Sequence, residues 1–252
     1  MMPPALREAC WAAVFAGGYL AVFLLSGAVH GRFPQRAELS RKTAHLAACL
    51  IALALPLAVS SVWTVAVMAS LFTAFLLLMR RIGALKCMFG VSRRSAGVCL
   101  MPAAVFLVFL TARHDRAAYM TALLILGFAD TAACLLGRLD PNKIVHGKSV
   151  TGSVGFFLVS FLCALLVRAD WTGRGIASVA LVALALAALL TVVELASFWG
   201  FDNLTVPLAA VAGSRIFGGA SHAESVCFAA AVLLCSTLAF GWLSVSGLRR
   251  AS

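Results

Sequence analysis

The run GIASVALVALALAALLTVVE, residues 175–194, decides the fold class. It contains 20 residues, and its only charged side chain is that of Glu194 at the last position. An α-helix needs about 20 mostly apolar residues to cross the hydrocarbon core of a bilayer. The stretch is therefore predicted to be a transmembrane helix.

The rest of the chain has the same apolar character. Of its 252 residues, 63% are hydrophobic and 12% are charged, and the mean hydropathy is +1.03. A soluble domain is nearer half apolar and a quarter charged, so a soluble enzyme and a secreted disulfide-rich scaffold are excluded. We predict an all-α polytopic transmembrane bundle, a single integral membrane domain over residues 1–252 with about seven to nine membrane segments. The predicted spans are 10–29, 43–60, 62–79, 97–112, 117–137, 153–168, 175–194 and 225–243.

Two interruptions shape this pattern. Pro56 and the pair Ser60-Ser61 divide one long apolar run into two spans joined by a tight hairpin. Residues 204–213, LTVPLAAVAG, are apolar but too few to cross a bilayer, and Pro207 is expected to break a helix there. We predict a re-entrant or broken helix at 204–213, and irregular backbone at membrane depth is tolerated only inside protein or beside a wet cavity.

Basic residues are distributed unequally between the two sides of the predicted membrane. Twenty Lys and Arg against nine Asp and Glu give a net charge of +11. Twelve of the basic residues fall in the loops 30–42, 80–96 and 138–152, and five fall on the other side. Because cytosolic loops collect Lys and Arg, we predict a multi-pass protein with its N-terminus outside and these loops in the cytosol. We attribute the net positive charge to loops that set the orientation in the membrane and to recognition of an anionic substrate, and not to binding of nucleic acid.

The first group of candidate site residues precedes the second predicted span. Glu38, Arg41, Lys42 and His45 are spaced by three and four positions, which places them along one helix face. Such a stripe is suited to gripping a phosphate. The alternative is an interfacial collar of charged side chains that extend toward water.

The second group surrounds Asp130, seven residues inside the predicted end of its span. A carboxylate near the bilayer centre costs roughly 2.5–3.5 kcal/mol to insert, so it is a functional candidate by default. The alternative is a structural ion pair with Arg138. Ala133 and Gly137 form a small-residue face, which allows close approach of a ligand or plain helix packing.

The third and fourth groups supply cations and oxygen ligands. Lys148 and Ser149, with Lys143 upstream, precede Gly152 and Ser153 at a predicted helix N-terminus, where free N–H groups would cradle phosphate; alternatively a serine caps the helix.

Downstream, Glu194, Asp202 and Asn203 carry hard oxygen ligands suited to Mg²⁺, although Asp-Asn is also a common turn. A buried Glu194 requires a cation nearby. The loop 80–96 adds the motif Arg93-Arg94-Ser95-x-Gly97.

In this order, the four groups resemble the CTP-dependent lipid-alcohol kinase family, which includes phytol kinase, dolichol kinase and CTP-using diacylglycerol kinases. The nucleotide motif of that family reads D-x-x-A-x-x-x-G, then after about ten residues a lysine with Ser or Thr and a following glycine. The similarity spans 38–213, and the step Lys-Ser-x-x-Gly-Ser looks more like the phytol-kinase branch than the Lys-Lys-Thr-x-Glu-Gly of dolichol kinases. The motif residues are Asp130, Ala133, Gly137, Lys148, Ser149 and Gly152, joined by Arg41, Lys42, His45, Glu194, Asp202 and Asn203.

The resemblance implies transfer of the γ-phosphate of CTP to a lipid alcohol, with phytol or geranylgeraniol as the expected acceptor and Mg²⁺ as cofactor. It implies that Asp130 binds the metal or accepts the alcohol proton. The alternatives are a CDP-lipid-forming cytidylyltransferase, whose long C-terminal signature this chain lacks, and a lipid or ion transporter. The other implied roles are phosphate binding by Lys148, Arg138 and Lys143, closure of the site by Arg41, Lys42 and His45, and completion of the metal shell by Glu194, Asp202 and Asn203.

Overall fold

The structure, a computed structural model, describes residues 2–33, 37–89, 96–169 and 175–219 and parts of 223–235. Almost all of these residues are helical, because an apolar segment in lipid must satisfy its backbone hydrogen bonds internally. One short hairpin of two strands, β1 (Lys143–Val145) and β2 (Lys148–Ser149), interrupts the helices. The helices are α1 (Pro4–Arg32), α2 (Ala37–Leu53), α3 (Leu55–Ala58), α4 (Val62–Arg81), α5 (Lys86–Phe89), α6 (Gly97–Ala112), α7 (Arg116–Leu124), α8 (Asp130–Leu139), α9 (Val150–Ala169), α10 (Ile176–Ala196) and α11 (Asp202–Gly218), with a π-helical turn (Ile125–Ala129) between α7 and α8.

The predicted all-α polytopic bundle is confirmed. Six of the described helical segments are long and apolar enough to cross a membrane, and the 16-residue α6 is a shorter apolar helix. Each of the seven spans predicted between residues 10 and 194 coincides with one of these segments. The predicted span 225–243 lies mostly outside the described residues. The six long segments are Pro4–Arg32, Ala37–Ala58, Val62–Arg81, Arg116–Leu139, Val150–Val167 and Ile176–Ala196.

The predicted hairpin between the second and third spans is also confirmed. Helix α2 ends at Leu53, and Pro56 occupies the first turn of the four-residue α3, where its missing N–H is not needed. Ser61 then caps α4 by accepting a hydrogen bond from the backbone N–H of Thr64. Proline and a serine cap thus end one membrane helix and begin the next within a few residues.

Side-chain contacts define two ends of the bundle. At one end, Glu8 of α1 accepts hydrogen bonds from the backbone N–H (2.9 Å) and the hydroxyl (2.6 Å) of Ser60, and Arg113 donates to the carbonyl of the same serine. We call this the Glu8 end. The other, basic end carries the start of α2, the end of α4, the β1–β2 hairpin and the turn between α10 and α11. The N-terminus and the basic end therefore lie at opposite ends of the bundle.

The prediction of a broken or re-entrant helix at 204–213 is wrong. Helix α11 is continuous and contains Pro207 in its second turn. Asp202 contacts Lys148 at the basic end, and Arg215 contacts Asp115 at the Glu8 end, so α11 runs the full height of the bundle. Proline removes one backbone hydrogen bond but its fixed φ suits a helix, and neighbouring helices compensate for such losses. The apolar stretch 204–213 is shorter than the helix because polar residues extend α11 at both ends.

A π-helical turn, Ile125–Ala129, sets the direction of the chain just before Asp130. Such a turn holds an extra residue and rotates the next helical segment relative to a regular helix, and it is frequent at functional sites. Within it, a Cβ on Gly127 would lie 3.0 Å from Cβ of Cys49, which shows how closely α2 approaches. The turn therefore brings the start of α8 against α2.

Candidate functional site

A cavity of about 620 Å³ opens at the basic end. Of the 14 site residues predicted from the sequence, every one except His45 lines this cavity. Residues from α2, α8, the hairpin, α9, α10 and α11 therefore converge at one place. The predicted residues on its wall are Arg41, Lys42, Asp130, Ala133, Gly137, Arg138, Lys143, Lys148, Ser149, Gly152, Glu194, Asp202 and Asn203.

Asp130 lies at the centre of a buried group that we call the Asp130 cluster, formed with Lys42 and His45. Lys42 Nζ lies 2.5 Å from Asp130 Oδ2, and His45 Nε2 lies 3.3 Å from the same oxygen. Lys42 and His45 are only 4% and 7% exposed, so the interpretation of this stripe as a solvent-facing collar is wrong. The alternative pairing of Asp130 with Arg138 is also wrong, because Arg138 is exposed and Lys42 holds the carboxylate.

The remaining members of the α2 stripe form a second contact beside the first. Arg41 makes a two-pronged ion pair with Glu38, with Nη2 to Oε1 at 2.5 Å and Nε to Oε2 at 3.0 Å. The thiol of Cys134 on α8 donates to Glu38 Oε1 at 2.9 Å. The expected placement of these residues along one face is confirmed, and that face is turned to α8.

Lys148, Glu194 and Asp202 form a further group that we call the Lys148 cluster. Lys148 Nζ lies 2.7 Å from Glu194 Oε1 and 3.4 Å from Asp202 Oδ2, and it also donates to the Glu194 carbonyl. The prediction that a buried Glu194 requires a cation is confirmed. Lys148 follows the tight turn His146-Gly147, whose φ values of 50° and 76° are those of the mirror-image turns that hairpins favour.

Two of the N–H groups in the predicted phosphate cradle at the start of α9 are already paired within the protein. Ser149 accepts a hydrogen bond from the N–H of Gly152 at 3.2 Å, and Asp140 accepts from the N–H of Thr151 at 3.4 Å. These N–H groups are already paired, so Ser149 acts as the helix cap. Hydrogen bonds from the Asn142 N–H and the Thr151 hydroxyl hold the pKa of the Asp140 carboxyl below its usual value.

The small residues of this region pack two helices together. A Cβ on Gly152 would lie 2.8 Å from the carbonyl oxygen of Ala133 and 3.2 Å from Cα of Gly137. Close approach of backbones through small residues is the usual function of such a face in membranes. Ala133, Gly137 and Gly152 therefore hold α8 against α9 while they also line the cavity.

Replacing Gly152 by alanine is expected to destabilise the fold. The new methyl group would meet backbone atoms that cannot rotate away, and overpacking of this kind costs about 1–3 kcal/mol. Thermal unfolding of the purified protein in detergent measures the effect. Gly17→Ala in α1 is the control, because nothing lies within 4 Å of a Cβ there and alanine favours helix. Equal unfolding temperatures for the two variants would contradict the close packing of α8 and α9.

Three cations on the cavity wall form no ion pair with a carboxylate in the described part of the chain: Arg80, Arg138 and Lys143. Lys143 Nζ donates to the carbonyls of Gly137 and Asp140, both at 2.6 Å. Arg80 was counted in the sequence only as an orientation signal, and its place at the cavity was missed. The sequence signal for a place at the cavity is that Arg80 ends an apolar span and begins a basic loop. The motif residues Arg93, Arg94 and Ser95 lie outside the described residues.

The predicted metal ligands fall into separate places. Asp130 belongs to its own cluster, whereas Glu194 and Asp202 both contact Lys148. Among the described residues, no group of three or more His, Cys, Asp or Glu side chains is placed to hold a metal ion. Glu194 Oε2 is buried and has no hydrogen-bond partner among the described residues. Magnesium at nucleotide sites is usually held by one or two carboxylates together with substrate phosphates. Glu194 and Asp202 fit that pattern, with the amide-bearing Asn203 beside them on the cavity wall.

Comparison with known proteins gives no family for this chain. No protein-family model, no curated protein and no solved structure matches it. A functional proposal therefore rests on the geometry of the cavity and on the motif resemblance.

Proposed function

We propose that the chain is a membrane-embedded kinase that transfers the γ-phosphoryl group of CTP to the hydroxyl of a lipid alcohol. The observation that carries the proposal is the convergence on one cavity of Asp130, Lys148 and three cations that form no ion pair with a described carboxylate. Phosphoryl transfer requires positioning and neutralisation of charge more than covalent chemistry. The choice of CTP, and of an isoprenoid alcohol such as phytol or geranylgeraniol, rests on the motif resemblance.

The cations supply the binding site for the nucleotide phosphates. Arg80, Arg138 and Lys143 line the cavity without an ion pair to a described carboxylate, so they are available to bind an anionic group through charge-assisted hydrogen bonds. Lys148 is already balanced by two carboxylates and serves a different purpose. It holds Glu194 and Asp202 in place at the edge of the phosphate site.

Mg²⁺ is the expected cofactor, with Glu194 and Asp202 as its protein ligands. When bound there it would neutralise charge on the phosphates. The buried Oε2 of Glu194, which has no hydrogen-bond partner in the described part of the chain, is the feature that supports this assignment. Asp130 is left out of the metal site because Lys42 and His45 both contact its Oδ2 and place it in a separate cluster from Glu194 and Asp202.

Asp130 is assigned to the acceptor side of the reaction. The alcohol oxygen forms a bond to the γ-phosphorus, the bond from that phosphorus to the bridging oxygen breaks, and CDP leaves. The alcohol proton passes to the Asp130 carboxylate, as it does to an aspartate in other kinases. Lys42, at 2.5 Å from Oδ2, fixes the position of the carboxylate.

The orientation in the membrane follows from charge. The basic end carries the loops in which Lys and Arg concentrate, and such loops remain in the cytosol, where nucleotides are available. The N-terminus lies at the opposite end and is therefore proposed to be outside. Membrane lipids and a lipid alcohol are the expected partners, and the oligomeric state is left open.

Phosphate transfer from γ-labelled CTP and ATP tests the proposal. Purified protein in lipid nanodiscs with Mg²⁺ is offered phytol, geranylgeraniol, a long polyprenol or diacylglycerol. We expect label in one isoprenoid alcohol, with CTP preferred and CDP as the second product. Release of pyrophosphate and formation of a CDP-lipid when a lipid phosphate such as phosphatidic acid is offered instead would favour the cytidylyltransferase. Folded protein that labels none of the lipids would overturn the kinase and favour transport.

A further inference from the structure

A separate apolar pocket lies behind Arg41 and His45, between α1, α2, α4 and α6. Its volume is about 70 Å³, far below the 620 Å³ of the cavity at the basic end. Arg41, Met88 and Val98 line both spaces, so the pocket and the cavity are neighbours that share a wall. Ligand sites for whole small molecules usually exceed about 300 Å³. The pocket therefore fits a narrow chain and not a nucleotide.

The inner end of the pocket is polar. His45 Nε2 lies 3.0 Å from the carbonyl oxygen of Leu126 and 3.3 Å from Asp130 Oδ2. Both neighbours are hydrogen-bond acceptors, so Nε2 carries the proton and Nδ1 is left with a lone pair. The polar side chain at the inner end is therefore in contact with the carboxylate that the kinase proposal makes the proton acceptor.

The outer end of the pocket is aromatic and faces the region of the lipid tails. The Tyr19 and Phe72 rings meet edge to face with centroids 5.1 Å apart, and Phe23 lies 6.5 Å from Phe72. The adjacent Leu24 and Leu71 are 67% and 66% exposed on the outside of the bundle. The Tyr19 and Phe72 rings are in contact, so a chain that leaves the pocket here must part them before it enters the bilayer.

We propose that the pocket receives the first carbons of a long-chain alcohol, with its hydroxyl beside His45 and its tail passing between Tyr19, Phe23 and Phe72. The inference rests on the proposed function, because it assigns the acceptor of that reaction to a place in the fold. The lining is apolar except for Tyr19, His45 and Arg41, and Arg41 is already paired with Glu38. A single hydroxyl followed by an apolar chain matches this arrangement.

Photolabelling of the unaltered protein tests the pocket directly. The probe is hexadecanol with a diazirine close to its hydroxyl, added to the protein in nanodiscs and cross-linked by light. We expect labelled residues among those that line the pocket, and loss of that label when excess phytol is present. Label confined to lipid-facing positions such as Leu24 and Leu71, or label that phytol does not displace, would overturn the proposal. This measurement requires no phosphoryl transfer.

Ala48→Phe is designed to fill the pocket, since Ala48 lines it and is 8% exposed. Ala47→Phe, the same change at the previous position and off the pocket wall, is the matched control. We expect Ala48→Phe to reduce photolabelling and to raise KM for the alcohol by about tenfold or more, equivalent to about 1.4 kcal/mol of binding, while CTP binding is unchanged. Displaceable label without phosphate transfer would support the pocket and refute the kinase. Normal transfer and labelling in Ala48→Phe would refute the pocket and leave the kinase standing.

Discussion

Asp130→Asn is expected to lower kcat for phosphate transfer by about 10²–10⁴-fold, the range for loss of a positioned acid or base. Asparagine has the same shape but cannot take the alcohol proton. It also removes the charge that faces Lys42, which is 4% exposed and has no other carboxylate at ion-pair distance among the described residues. Transfer from labelled CTP to the preferred alcohol provides the measurement.

The same substitution is expected to destabilise the protein, so loss of activity must be separated from loss of fold. Breaking a buried ion pair by removing one partner costs about 3–5 kcal/mol. The double variant Lys42→Met/Asp130→Asn removes both charges and is expected to recover most of the unfolding temperature but none of the activity. Asp115→Asn at the Glu8 end is the control, because asparagine caps a helix as well as aspartate does. Full turnover in Asp130→Asn would remove Asp130 from the mechanism.

The membrane helices could be predicted from sequence because their signal is local. A run such as 175–194 needs no partner to be recognised, and α10 begins and ends within two residues of that range. Pro207 marks where this reasoning fails. Its effect on a helix depends on the packing of α11 against its neighbours, in which Pro207 itself is buried, and no local rule contains that information.

The candidate site was predictable as a set of residues but not as a set of contacts. Charged residues in apolar spans are costly, so Asp130 and Glu194 stood out individually. Their partners are far away in sequence: Lys42 is 88 positions from Asp130, and Lys148 is 46 positions from Glu194. A single sequence carries no signal for pairing at such distances. For this reason the carboxylates were grouped around one metal, whereas the fold divides them between two lysines.

The pairing of the carboxylates with two different lysines has a chemical consequence. The Asp130 cluster adjoins the apolar pocket, and the Lys148 cluster adjoins the hairpin that carries Lys143. Each lysine holds a carboxylate that would otherwise be unpaired, and both clusters face the same cavity. Under the proposed function, a nucleotide between them would have the proposed metal ligands Glu194 and Asp202 on one side and the proposed proton acceptor Asp130 on the other. The arrangement suits transfer between a water-soluble donor and a lipid-soluble acceptor.

Lys148→Met is expected to reduce both stability and activity. Methionine keeps most of the length of the side chain but removes the only cation at ion-pair distance from Glu194 and Asp202 in the described part of the chain. Glu194 is 6% exposed, and an uncompensated buried charge of this kind costs about 3–5 kcal/mol. Arg215→Met, which breaks an exposed pair with Asp115 at 3.7 Å, is the control and is expected to cost at most about 1 kcal/mol. Thermal unfolding in detergent compares the two variants.

The double variant Lys148→Met/Glu194→Gln separates the structural role of Lys148 from its role at the nucleotide site. With Glu194 neutral, the lysine is no longer needed to balance a buried charge, so most of the lost unfolding temperature is expected to return. Phosphate transfer is expected to stay at least about 100-fold below the unaltered protein, because the Mg²⁺ ligand pair has lost one carboxylate and its positioning lysine. The half-saturating Mg²⁺ concentration is expected to rise in the double variant. Recovery of transfer at unchanged Mg²⁺ would mean that Glu194 is no metal ligand and that the Lys148 cluster serves the fold alone.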